Sequence, residues 1–106
     1  MGFMDALLYK GDKSTVLRFY LEDTDSEELA RCRKREPLVF RRHPGEESRV
    51  LVFHKRGQGA EAKLGAVPEK EAKHVVDHLG RGYFCEGSII ELKGGACRVK
   101  CRLISL

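Results

Sequence analysis

A helical period runs through one segment of this chain, and that segment is short. Pro68–Leu79 sets Ala72, Val75, Val76 and Leu79 along a single stripe. Pro68 suits the first helical position, Glu69 and Glu71 suit its positive end, and Gly80 stops it. The rest of the sequence breaks into short β-branched and aromatic runs bounded by glycines, prolines and acidic turns. Roughly five or six strands and one good helix give no regular βαβ alternation. The expected fold is therefore mainly β with one α-helix (α+β), a small and mostly antiparallel barrel or sheet with the helix packed on it.

The strands are read as follows. Ser14–Leu21 turns Leu17, Phe19 and Leu21 to one face and Val16, Arg18 and Tyr20 to the other. Glu27–Arg35 has two readings, a helix capped by Asp25 or Ser26, or a strand in which Ala30, Cys32 and Lys34 alternate with arginines. Pro37 to Ser48, with Pro37, Pro44 and Gly45, reads as an irregular loop. Arg49–His54 is apolar on both faces and central, and after the turn Lys55–Gly59 a short strand Glu61–Leu64 pairs back. Tyr83–Cys85 and Ser88–Leu92 follow, and Gly94-Gly95 marks a hairpin. In Ala96–Leu106, Cys97, Val99, Cys101 and Leu103 face one way, and Arg98, Lys100 and Arg102 the other. Taken as an exposed edge, Cys97–Leu106 could pair with a second copy in a homodimer.

The 106 residues are expected to form one domain, with an N-terminal extension over 1–13 and a barrel-like core over 14–106. A composition of 42% hydrophobic and 34% charged residues argues against wholesale disorder. No apolar run approaches the roughly 18 residues of a membrane span, and the first ten residues lack a basic signal-peptide start. A cytoplasmic protein without a membrane partner is the expectation.

The net charge of +4 is segregated: residues 1–30 carry −4, residues 31–56 carry +6 and residues 57–106 carry +2. A positive block of this kind can mark a site for phosphates or another anionic partner. Basic groups also alternate with rings, in Arg18 beside Tyr20, and in Phe40-Arg41-Arg42-His43. Cations neutralise phosphates and exposed rings stack on unpaired bases, which is the chemistry of a single-strand binder.

Other chemistry finds little support. None of Cys32, Cys85, Cys97 and Cys101 forms Cys-x-x-Cys, and Cys97 and Cys101 on one strand stand about 13 Å apart. His74 and His78 share a helix face but lack the glutamate of a His-Glu-x-x-His site. There is no nucleophile elbow, phosphate loop or dinucleotide fingerprint. The expectation is a protein that is no enzyme and carries neither metal nor cofactor.

Several segments, in order, bear a likeness to a known family. Leu17-Arg-Phe-Tyr20 is followed by Arg35-Glu-Pro37, a strand Val50-Leu-Val-Phe53, Leu64-Gly-Ala-Val-Pro68 leading into a helix with Ala72, and Gly80-Arg-Gly82 before a strand. Over about residues 15–92 this resembles the HIRAN domain. The resemblance implies an OB-like barrel that recognises single-stranded DNA, particularly a 3′ end, with Arg18 and Phe19 at the place of the family's Arg-aromatic pocket pair. It also implies a strand over Leu29–Arg35. The family's Asn-Pro-Tyr-Asp stretch is replaced by Leu38-Val-Phe-Arg-Arg-His-Pro-Gly45, in which Phe40 offers a ring and nothing replaces the acid. Ala66 and Glu69 stand where the family has basic or histidine residues.

The expected function is a non-catalytic nucleic-acid-binding module for single-stranded DNA or DNA ends. Arg18, Phe19, Tyr20, Phe40, Arg41 and Arg42 would form the centre, and Arg33, Arg35 and Lys55 would contact phosphates. The alternative is a protein-interaction or small-ligand module whose basic loop faces an acidic partner.

Overall fold

The structure is a computed structural model that describes residues 13–57 and 59–105. The N-terminal extension expected over 1–13 lies outside the described residues except for Lys13, which opens the first strand. The elements run β1 (Lys13–Tyr20), α1 (Ser26–Leu29), β2 (Pro37–His43), β3 (Glu46–Arg56), β4 (Ala60–Ala66), α2 (Glu69–Gly80), β5 (Phe84–Lys93) and β6 (Ala96–Ser105). The six strands form one antiparallel sheet in the order β1-β6-β5-β2-β3-β4.

Pairing follows the side-chain alternation. Phe19 lies opposite Val99 and Leu17 opposite Cys101, so the apolar faces of β1 and β6 coincide. Gly94 and Gly95, with φ of 57° and 84°, supply the two left-handed positions of the tight β5–β6 hairpin. Leu64, Ile89, Val50, Val52 and Val99 are fully buried, and α2 adds Val75 and Ala72 to the same core while packing against β3. Just past β1, Glu22 exchanges two backbone hydrogen bonds of 2.8 Å with Ala66 at the end of β4. The chain just past β1 is thus bridged to the end of β4, while β1 and β4 themselves remain the two edges of the sheet.

Gly87 on β5 faces this core without a side chain. A Cβ there would lie 2.1 Å from Cε2 of Phe40, whose ring occupies the space instead.

Three sequence expectations are corrected. Pro37–His43 is a strand, because Pro37 opens it, where a missing N–H is tolerated, and Pro44-Gly45 form a two-residue link to β3. Leu29–Arg35 is not a strand. Asp25 accepts the Glu28 N–H at 3.0 Å and caps a four-residue helix, after which the chain turns until Pro37. Cys97–Ser105 is not an edge, since β6 pairs with β1 on one side and β5 on the other. Among the described residues no helix is long and apolar enough to cross a membrane.

Candidate nucleic-acid interface

The outward face of β1, β6 and β5 collects charge that the sequence scatters over more than eighty positions. Burial of Phe19, Val99 and Cys101 turns their neighbours Arg18, Arg98, Lys100 and Arg102 outward. Register then sets Arg18 directly opposite Lys100 and Tyr20 directly opposite Arg98. Like charges facing across a strand pair destabilise a sheet unless something neutralises them. Among the described residues neither Arg18 nor Lys100 has a carboxylate within ion-pair distance.

The neighbouring charges are engaged. Glu86 lies 3.8 Å from Arg102, and the Tyr20 hydroxyl donates to Glu91 at 3.2 Å. The Arg98 guanidinium sits 5.9 Å above the Tyr20 ring, holding that ring at the surface, where it is 52% exposed. At the other end of the face Phe84 is 45% exposed, opposite Ile104. Two concavities adjoin at Glu86 and Gly87. One of about 230 Å³ is lined by Ser88, Lys100 and Arg102, and one of about 370 Å³ opens where β2 and β5 splay apart and is lined by Phe84, Lys55 and Leu79.

The sequence-predicted residues therefore divide. Arg18 and Tyr20 belong to this face, and Lys55 lines the adjoining cleft. Phe19 and Phe40 are buried, at 5% and 8% exposure, and pack in the core rather than offering rings to a ligand. Arg33 and Arg35 lie exposed in the turn before β2, where Arg35 adopts φ 73° and donates its N–H to the Ile89 carbonyl at 2.7 Å. Arg42 is exposed near the β2–β3 link, and Arg41 is held by Glu61 through two hydrogen bonds of 3.0 and 2.9 Å.

The positive middle block does not act as a block. Arg49 pairs with Asp23, Arg56 with Glu28 and Arg41 with Glu61. Two of these three acids come from the acidic first third, so the −4 and +6 segments partly neutralise each other in space. The cations the linear charge count underweighted, Arg98, Lys100 and Arg102, reach the shared face because strand alternation puts them there. That alternation was readable in the sequence; their register with Arg18 was not.

A second polar cluster is buried. His54 and Glu28 have side chains 5% and 4% exposed, and His54 Nδ1 lies 2.9 Å from a Glu28 carboxylate oxygen. Arg56 donates to both oxygens of Glu28. These hydrogen bonds, Arg56 foremost, overcome burial and hold the Glu28 carboxyl down at about 2.

No family model matches the sequence, and no curated protein matches it. The fold is similar to that in the crystal structure of a Lactobacillus plantarum protein determined as a target of the Northeast Structural Genomics Consortium. The TM-score is 0.71, with 14% identity, covering 91% of this chain and all of that one. At that identity the likeness speaks for the fold alone.

Proposed function

We propose that this chain is a HIRAN-like, OB-like module that binds single-stranded nucleic acid, DNA or a DNA end, on the outer face of β1, β6 and β5. The observation that carries this reading is Arg18 set opposite Lys100 without a carboxylate partner among the described residues. A phosphodiester between them would relieve the like-charge pair. Tyr20 and Phe84 would stack bases at the two ends of the face. Six β6 positions separate their partners Arg98 and Ile104, or about 20 Å. That length suits about four nucleotides, the short end of OB-fold sites. For the barrel itself, the Glu22–Ala66 bridge supports closure of the sheet between β1 and β4.

A labelled oligonucleotide titration tests the reading. With about three phosphate contacts at ~0.7 of a counterion each, affinity should fall about 20-fold between 50 and 200 mM salt. Arg18→Glu with Lys100→Glu should abolish binding, while Arg41→Ala with Arg42→Ala should leave it within about threefold. Absence of binding at low salt, indifference to salt, or loss confined to the Arg41 and Arg42 pair would each overturn it.

A further inference from the structure

His54 is held by one nitrogen and left open at the other. Its Nδ1 faces the Glu28 carboxylate, which fixes the proton on Nδ1 and aims the Nε2 lone pair away. Nε2 is buried and makes no hydrogen bond, although an oxygen of Glu36 lies 3.4 Å from it. In that tautomer both atoms are acceptors, so they repel unless something positive stands between them. The Cys32 sulfur completes the surroundings, and ligand atoms of Cys32, Glu36 and His54 all lie within 4.8 Å of one another.

We propose that Cys32, Glu36 and His54 form a site for one divalent transition-metal ion, zinc by preference, with a fourth position left to water or an external ligand. A sulfur, an imidazole and a carboxylate suit the borderline softness of zinc. Tetrahedral zinc places its ligand atoms roughly 3.3–3.8 Å apart; the His54–Glu36 pair already meets this, and side-chain rotation supplies the remainder. Glu28 behind His54 is the carboxylate–histidine arrangement that orients metal-ligating imidazoles, and Arg56 balances its charge.

When a dication binds, the metal–sulfur bond forms as the S–H bond breaks, and one proton leaves to solvent. Thiolate and carboxylate together then neutralise the ion. The ion would tie the turn that carries Cys32 and Glu36 to β3. The site shares no residue with the outward face of β1, β6 and β5, so the two are tested separately.

The test is cobalt(II) titration followed by zinc displacement on the full chain. The expected result is one ion per chain by native mass spectrometry, a thiolate-to-cobalt absorption band that zinc abolishes, release of one proton from Cys32, and a higher melting temperature with zinc. Cys32→Ser should remove the band, and Glu36→Gln should weaken zinc binding by about tenfold or more. Glu28→Gln, which touches no ion, should weaken it by about 10–100-fold. Lack of a band at saturating cobalt, a band that survives Cys32→Ser, or zinc affinity unchanged in Glu36→Gln would overturn the site.

Discussion

Gly87→Ala adds one methyl group to the middle of the sheet and should be among the most damaging small changes available. An alanine in a strand is ordinarily better than glycine by about 0.5–1 kcal/mol. Here the new Cβ would stand 2.1 Å from Phe40 Cε2 and 2.5 Å from Cζ, against a normal carbon contact of about 3.5–4.0 Å. An overlap of about 1.5 Å exceeds what a small shift relieves. Backbone pairing holds Gly87 to Leu38 on one side and Cys101 on the other, so the Phe40 ring must leave. Overpacking costs about 1–3 kcal/mol, and expelling a buried ring adds about 1.5–3 kcal/mol when it is complete. A net loss of about 3 kcal/mol is expected, lowering the melting temperature by roughly 12–20 °C for a domain of this size. Urea unfolding of Gly87→Ala, Phe40→Leu and the double variant measures it directly. The double variant should be less damaged than the sum of the two, with a coupling of about 1–3 kcal/mol. A Gly87→Ala protein within about 0.5 kcal/mol of the parent, or strict additivity, would show that the ring does not fill that space.

Two further outcomes follow from titrating groups. Glu28 has its carboxyl lowered from 4.5 to about 2, so its stabilisation is complete above about pH 4.5 and disappears as pH falls through about 2. With Arg56 43% exposed and screened by water, this contributes on the order of 2 kcal/mol, read as a falling urea midpoint from about pH 5 to 2 that Glu28→Gln flattens. Cys85 is half-buried and its thiol is lowered by a hydrogen bond from Cys101, whereas burial pushes Cys97 up to about 11. Iodoacetamide should therefore label Cys85 first, and Cys101→Val should slow that labelling.

Local chemistry made part of this fold legible. The helix stripe of Ala72 and Val75, the Gly94-Gly95 hairpin and the alternation of β6 are decided within a few residues, and all reappear in three dimensions. β2 was hidden because Pro37 and Pro44-Gly45 look like breakers; they are the start of a strand and its link, positions that only the pairing with β3 reveals. The short helix at Ser26–Leu29 followed the local capping signal over the alternation beyond it. The candidate face was half legible, in the outward Arg18 and Tyr20; Phe19 followed the strand alternation into the core, against the pocket place the family resemblance implied, and Phe40 was drawn there by neighbours distant in sequence. Cys32, Glu36 and His54 carry no motif, since a turn and a strand eighteen positions further on must meet before they become a cluster.

The order of the strands also bears on how the molecule is made. Lys13 begins the pairing of β1 and finds its partner in Ser105, at the far end of β6. Contacts of such span close late and slow folding. On the ribosome β1 therefore waits, without its strand partner, until nearly the whole described chain has been synthesised. Arg18 and Lys100 become neighbours only at that final step. A prematurely terminated product would carry the arginine without the basic face, and completion of the fold and assembly of that face are one event.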